Sequence, residues 1–314
     1  MGNRASKGVE VAGMVRGRWM LWIAAVAMLG GCGPAGDGAG GNGRAEDGLD
    51  RLRQQARDAL ARYDQAVRDA GGAQGFVPVG DLTGQLGDWE PANGDNNKLA
   101  LLAGQVFPAE ALPTAGQKTG TVVWETGRTQ PVPLMSAEET LAQMRAAGGR
   151  GCSGCVPLEA TAARLTTVRI PTTRGPATAP AWEYTLKGTA VRLTRIAAAP
   201  AIEVTPPPWD ADHPHGGLRI DSATGTTTSR QLTVAFTGSP DPKSQPCGAD
   251  YSAEAVESGN AVVVIVIEHP HADRETCGDI GARRTATVEL AQPLRERAVL
   301  EVQQGLPVPL TISG

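Results

Sequence analysis

The histidines of this chain could take part in metal chemistry, because all four stand in two copies of one tripeptide. The copies are His213-Pro214-His215 and His269-Pro270-His271, and carboxylates flank both of them, at Asp210, Asp212, Glu268 and Asp273. Proline favours an extended backbone, on which residues two apart point to the same side. If the fold brought the copies together, four imidazole nitrogens and a carboxylate could bind zinc, copper or nickel. The simpler interpretation is that both copies are polar turns.

Two of the cysteines form a C-x-x-C motif, Cys152-Ser153-Gly154-Cys155. In a thioredoxin-like site the first cysteine opens a helix, whose N-terminus lowers the pKa of the thiol. Here Val156-Pro157-Leu158 and a strand pattern follow, so this support is missing, and no second C-x-x-C completes a zinc ribbon. We therefore expect a local structural disulfide, with thiol redox activity and metal binding as the alternatives.

The usual catalytic signatures are absent from the sequence. It contains no G-x-S-x-G, no G-x-x-x-x-G-K-[ST], no H-E-x-x-H and no EF-hand loop. Trp89, Trp124, Trp182 and Trp209 could line a carbohydrate or peptide groove, but we expect them to fill a core that is poor in aromatic residues. We therefore assign no catalytic residue and favour a binding function over an enzymatic one.

The first 31 residues have the three parts of a secretory signal. Arg16 and Arg18 precede an uncharged, mostly apolar run of eleven residues at 19–29, and small residues follow it. Such a run spans only about half of the hydrocarbon core of a bilayer, which disfavours a transmembrane helix. The segment Leu29-Gly30-Gly31-Cys32 resembles the lipobox of bacterial lipoproteins, in which the cysteine carries a thioether-linked diacylglycerol. This resemblance implies that Cys32 is lipid-modified and holds the chain on the extracytoplasmic face of the cell membrane.

The remaining cysteines fit an exported chain. Apart from Cys32 there are four, and an even number in an oxidising compartment indicates disulfides. Of the three ways to pair them, we expect Cys152–Cys155 together with Cys247–Cys277. The second bridge would close a loop of thirty residues. In the chain-entropy account, such a bridge stabilises the fold by roughly 3–4 kcal/mol.

Charge excludes one class of partner. The whole chain has a net charge of −4, which becomes −7 when residues 1–31 are removed with their four basic and one acidic side chains. An acidic surface argues against nucleic acid as a partner. The expected partners are therefore the membrane, contacted through the lipid, and a protein or small-molecule ligand of unknown identity.

Two segments separate the signal from the body of the protein. Residues 32–48 are rich in glycine and have no large apolar side chain, which predicts a flexible tether. Residues 49–72 place apolar side chains at three- and four-residue steps, which predicts an amphipathic helix ended by Gly71-Gly72. This helix either packs on the body of the protein or forms a stalk that contacts a partner.

The pattern of residues 73–198 predicts a first β-rich domain. Two extended runs at 122–135 indicate a hairpin, and a capping box then opens a short helix near 136–147. From residue 158 onward, apolar and polar residues alternate between turn signals, which predicts an antiparallel meander.

A second β-rich domain is predicted for residues 217–314, after a proline-rich linker at 199–216. Within it, residues 261–268 (AVVVIVIE) are almost entirely apolar, as is typical of a central strand covered on both faces. With the Cys247–Cys277 bridge beside this strand, the pattern favours a sandwich-like arrangement. The predicted fold class is therefore α+β and mainly β, with an N-terminal amphipathic helix followed by two antiparallel β-rich units.

Several segments resemble those of a set of actinobacterial lipoproteins that has no assigned activity. They are GDWE (87–90), NNKLAL (96–101), TTRGPATAPAWEYTLKG (172–188), CGADYSAEAVES (247–258) and PLRERAVLEV (294–303). The resemblance covers most of residues 75–312 and implies a lipid-anchored location. It brings no functional residues that could be transferred to this chain.

The leading hypothesis is therefore a membrane-anchored extracytoplasmic lipoprotein that acts as a binding or interaction module and needs no cofactor. The alternative is an extracytoplasmic metal-binding lipoprotein. In that case the ligands of the transition metal would be His213, His215, His269 and His271.

The metal-binding alternative predicts stoichiometric zinc, copper or nickel in protein purified without a histidine tag. It also predicts that His213→Ala combined with His269→Ala weakens metal binding, because each motif then lacks one imidazole. Elemental analysis and metal titration measure these outcomes. Protein that carries no stoichiometric metal, and whose metal affinity the double substitution leaves unchanged, would exclude the alternative.

Overall fold

Strands make up most of the regular structure of this chain, and their pairing is mainly antiparallel. The structure, a computed structural model, describes residues 40–113, 118–149, 151–208, 216–272 and 276–313, with side chains from residue 46 onward. The predicted signal peptide, Cys32 and the first part of the predicted tether lie outside the described residues. The mainly β, antiparallel part of the predicted fold class is confirmed.

Helix α1 spans Gly40–Asp69, and Arg44–Gly314 forms a single compact unit. One face of the helix is buried, and its buried side chains recur at the spacing of a helix face: Ala56, Ala59, Leu60, Tyr63 and Val67. The helix begins within the glycine-rich stretch that the sequence predicts as tether up to residue 48. A packed helix can extend into such a stretch because adding a residue to a helix costs less than starting one.

A seven-stranded sheet occupies the first half of the chain. Its strands are β1 (Thr83–Leu86), β2 (Val106–Pro108), β3 (Thr119–Trp124), β4 (Thr129–Pro133), β5 (Leu158–Ile170), β6 (Ala177–Leu186) and β7 (Arg192–Ile196). β3 and β4 form the predicted hairpin, and β5, β6 and β7 form the predicted antiparallel meander. β6 also pairs with β3, β1 pairs with β7, and β2 pairs with β5 in parallel.

Two helices accompany this sheet, α2 (Gly94–Leu102) and α3 (Ala137–Ala146). The predicted capping box is present at the start of α3: the Ser136 hydroxyl accepts from the Glu139 backbone N–H, and the Glu139 carboxylate accepts from the Ser136 backbone N–H at 2.8 Å. The sequence analysis did not predict α2.

The tryptophans that the structure describes lie in the protein interior, as expected. Trp89, Trp124 and Trp182 are 8%, 2% and 3% exposed, and each belongs to an apolar cluster of the first sheet. These three side chains are therefore unavailable to line an open groove. Trp209 lies outside the described residues.

The second half of the chain forms two smaller sheets. Their strands are β8 (Ile220–Gly225), β9 (Gln231–Gly238), β10 (Ala249–Glu257), β11 (Ala261–Pro270), β12 (Ala282–Glu289), β13 (Ala298–Glu301) and β14 (Leu310–Ile312). One sheet has the order β10-β11-β13 and the other β12-β9-β8-β14. The pairs β11–β13 and β8–β14 are parallel, and the other pairs in these sheets are antiparallel.

Strand β11 is covered on both faces, as its apolar sequence predicts. Val262, Val264 and Val266 pack in a cluster with apolar side chains of the four-stranded sheet. The alternate side chains, which include Val263 and Ile265, pack in a second cluster with the buried face of α1. The order of layers is therefore helix α1, three-stranded sheet, four-stranded sheet, and every residue of β11 from 261 to 266 is buried.

We expect Ile265→Ala to lower the free energy of unfolding by about 2–5 kcal/mol, because it leaves a cavity between α1 and the three-stranded sheet. Ile280→Ala is the matched control, since Ile280 is 73% exposed whereas Ile265 is fully buried. The control should change the free energy of unfolding by less than about 0.5 kcal/mol. Urea unfolding followed by tryptophan fluorescence measures both. Equal effects of the two substitutions would contradict the layered packing.

Candidate ligand-binding groove

The structure describes one of the two His-Pro-His motifs. The Nε2 atom of His269 lies 2.7 Å from the Ser252 hydroxyl oxygen, and His271 Nδ1 lies 2.8 Å from the backbone oxygen of Lys243. His213 and His215 lie outside the described residues. Within the part of the chain that the structure describes, no group of three or more His, Cys, Asp or Glu side chains could hold a metal ion. The metal-binding alternative therefore stays a prediction.

Both expected disulfides are present, Cys152–Cys155 and Cys247–Cys277. The first lies in a loop before β5 rather than at the start of a helix. Val156 follows this disulfide, and Asn96 of α2 holds the loop because its amide side chain hydrogen-bonds to both the N–H and the carbonyl of Val156. This position supports a structural role for the C-x-x-C motif.

A groove with a volume of about 530 Å³ lies beside the first sheet, in the size range of pockets for small molecules. The groove is lined by residues of four segments: 77–82, Met135 with the C-terminal end of α3, 195–204, and a short stretch after β13. Most of its side chains are apolar, among them Val77, Val79, Leu82, Met135, Ile196, Ile202, Val204 and Leu306. We refer to this feature as the Arg195 groove, after the arginine that also lines it.

Two hydrogen bonds fix the α3 side of the groove. The Trp182 indole N–H donates to the carbonyl of Met135 at 2.9 Å, and the Tyr184 hydroxyl donates to the carbonyl of Ala137 at 2.7 Å. Because both donors sit on the buried face of β6, the start of α3 is held against the sheet. One wall of the groove is thereby formed by Met135 and by the C-terminal end of α3.

Prolines explain why a groove remains open here. Pro78, Pro200 and Pro307 all line it, and proline cannot donate the backbone hydrogen bond that a further strand would need. The segments are nevertheless held in place: the N–H of Val79 donates to the carbonyl of Pro171, and the N–H of Ala201 donates to that of Phe76. The groove walls are thus fixed by backbone bonds but do not close into a continuous sheet.

Arg195 of β7 brings a positive charge to these apolar walls. Burial lowers the pKa of its guanidinium, and the negative charge of Asp81 opposes this effect. Its Nη1 atom donates to the Thr83 hydroxyl at 2.7 Å. Among the residues that the structure describes, no carboxylate lies within 4.0 Å of the guanidinium. Arg195 is therefore partly desolvated, and the charge of Asp81 acts on it without a direct ion pair.

Neighbouring arginines of the same sheet do have counter-ions. Arg164 and Arg192 both pair with the carboxylate of Glu183, at 2.6 and 3.0 Å. Glu203 also lines the Arg195 groove, but it is exposed, so its charge is solvated. The groove therefore combines apolar walls with a single partly buried cation, Arg195.

Sequence reasoning did not identify Arg195. The local pattern carries part of the signal, because a period of two places Arg195 on the same face as Val191 and Leu193, which are buried. The environment of Arg195 is set by segments far away in the sequence, at 77–82 and 135–147, which no local pattern connects to β7.

No helix in the described part of the chain is both long and apolar enough to cross a membrane. The resemblance to actinobacterial lipoproteins rests on the sequence segments alone. No protein-family model matches the chain, and neither a curated protein nor a solved structure is significantly similar to it.

Proposed function

We propose that this chain is an extracytoplasmic lipoprotein, anchored to the cell membrane through Cys32, that binds a small amphiphilic anion in the Arg195 groove. The ligand would have an apolar body and a single carboxylate or phosphate head group. The observation that carries this proposal is the partly buried guanidinium of Arg195 among apolar walls, without a carboxylate partner in the described residues.

The energetics of the groove favour such a ligand. A partly desolvated cation without a direct ion pair raises the free energy of the folded protein, and an anionic head group would offset this cost. The apolar body of the ligand would remove the apolar walls from water, at about 25 cal/mol for each Å² buried. A purely polar anion would gain only the interaction with Arg195, and an uncharged hydrocarbon would gain only the burial of apolar surface.

Export and anchoring are supported by independent features of the chain. The lipobox-like segment before Cys32 supports lipid attachment, and two disulfides support folding in an oxidising compartment. We also propose that the strands before residue 199 and those after residue 216 form two β-rich units, the second of them sandwich-like. The apolar cluster shared by the two smaller sheets supports the second part of this proposal.

We expect Arg195→Gln to weaken binding of decanoate by about 10- to 100-fold, because a charge-assisted hydrogen bond to the head group is lost. Arg192→Gln is the matched control, since Arg192 lies in the same strand but pairs with Glu183. Isothermal titration calorimetry on the wild type and both variants measures the affinities.

Two further ligands sharpen this test. Decanol has the same apolar body without the charge, and its affinity should be equal in the wild type and in Arg195→Gln. Decyl phosphate distinguishes a phosphate head group from a carboxylate. If decanoate and decyl phosphate both fail to bind the wild type, or bind Arg195→Gln equally well, the proposed ligand class is wrong.

The anchor has a separate test. Mass spectrometry of the N-terminal peptide from the membrane fraction should show a diacylglycerol on Cys32, and Cys32→Ser should abolish this modification because the thioether cannot form. Cys152→Ser combined with Cys155→Ser is the control and should keep the lipid. An unmodified Cys32 in the wild-type protein would exclude the anchor, whatever the result for the groove.

A further inference from the structure

A polar cleft with a volume of about 690 Å³ lies in the second half of the chain, away from the residues of the Arg195 groove. It is lined by the turn between β10 and β11, by the loop between β12 and β13, and by Gln74. A smaller cavity of about 430 Å³ shares Gln74 and Glu296 with this cleft and adds Arg128 and Arg174 from turns of the first sheet. We refer to the two together as the Glu296 cleft.

One arginine of the cleft already has all the partners it needs. Arg297 pairs with the carboxylate of Glu257 and also donates to the backbone carbonyls of Leu294, Gln292 and Pro293. Because these bonds engage every nitrogen of its guanidinium, Arg297 holds the loop and is unsuited to bind a ligand.

Arg128 and Arg174 have a different arrangement, since both converge on one carboxylate. Arg128 Nη1 lies 2.6 Å from Glu296 Oε1, and Arg174 Nη2 lies 2.9 Å from Glu296 Oε2. Each carboxylate oxygen therefore receives one guanidinium. Two guanidiniums placed in this way recognise carboxylate and phosphate groups in general, and here the chain supplies its own carboxylate.

Arg174 is fixed more firmly than the glutamate, and Arg128 contacts an aromatic ring. The side chain of Arg174 is only 11% exposed, and burial lowers its pKa. Within the described part of the chain, its buried Nε has no hydrogen-bond partner. The guanidinium of Arg128 stacks 5.8 Å above the ring centre of Trp124. The side chain of Glu296, by contrast, is 59% exposed.

Glu296 also follows a residue in an unfavourable backbone conformation. Arg295 has a φ of 53°, in the left-handed region that side-chain-bearing residues rarely adopt. Its backbone N–H donates to the carbonyl of Thr227, which holds the loop in this shape. The loop therefore keeps Glu296 at the two arginines, although an exposed ion pair by itself contributes little to stability.

We propose that the Glu296 cleft is a second binding site, for the carboxylate or phosphate group of a polar ligand, and that Glu296 occupies it when no ligand is bound. Such a ligand displaces the Glu296 carboxylate into solvent and takes over both guanidiniums. This site is independent of the Arg195 groove, since it needs no apolar body on the ligand and shares no residue with that groove.

The test exploits the competition between Glu296 and the ligand. Glu296→Gln in the full chain should bind inorganic phosphate or succinate about tenfold more tightly than the wild type, because the competing charge is removed. Glu289→Gln is the control, since Glu289 is an exposed carboxylate 3.7 Å from Arg230 and should leave the affinity unchanged. Isothermal titration calorimetry measures the affinities, and the rise in melting temperature with ligand gives a second readout.

The arginine variants complete the experiment. Arg174→Gln in the Glu296→Gln background should abolish the gain in anion affinity. If this variant does not fold, Arg128→Gln in the same background gives the same test, because Arg128 is half-exposed. Tighter binding of phosphate alone identifies a phosphoryl ligand, and tighter binding of succinate alone identifies a carboxylate. If Glu296→Gln binds neither anion more tightly than the wild type, Glu296 is a structural ion-pair partner and the proposed site does not exist.

Discussion

The hydroxyl of Thr172 lies buried where the first sheet meets the second half of the chain, and several elements meet at it. It donates to the carbonyl of Gly175 at 2.6 Å and accepts from the indole of Trp124 and the backbone N–H of Arg174, both at 3.0 Å. The carbonyl of Thr172 accepts from the N–H of Leu310 in β14. Because a buried polar group is costly when it is unpaired, each of these partners constrains the position of the others.

Both candidate sites depend on this junction. Arg174, whose backbone bonds to Thr172, reaches Glu296 in the second half of the chain. The carbonyl of Pro171, one residue before Thr172, holds Val79 in the wall of the Arg195 groove. Pockets for ligands can form where packed layers of a fold meet, because loops and turns from both sides converge there. The rigid sheets position these turns, and the turns carry the charged groups.

The parts of this fold that the sequence predicted are those encoded by local patterns. Residues near one another in the chain determine three of these features: the capping box at Ser136, the bridge Cys152–Cys155 and the burial of β11 on both faces. The Arg195 groove could not be predicted in this way, because its environment comes from segments that lie far apart in the sequence. The same applies to the pairing of Arg174 with Glu296, since neither residue differs in local pattern from an ordinary surface charge.

The arginines of the two sites differ from those of other ion pairs in the chain. In the pairs Arg297–Glu257 and Arg53–Glu254, the carboxylate is itself at least partly buried. Among the described residues, Arg174 has only the exposed Glu296 as its counter-ion, and Arg195 makes no ion pair with a carboxylate. Burial lowers the pKa of both guanidiniums, because it disfavours their charged form. Because a buried cation is costly, an apolar side chain at either position would favour stability, and we propose that anionic ligands account for the two arginines instead.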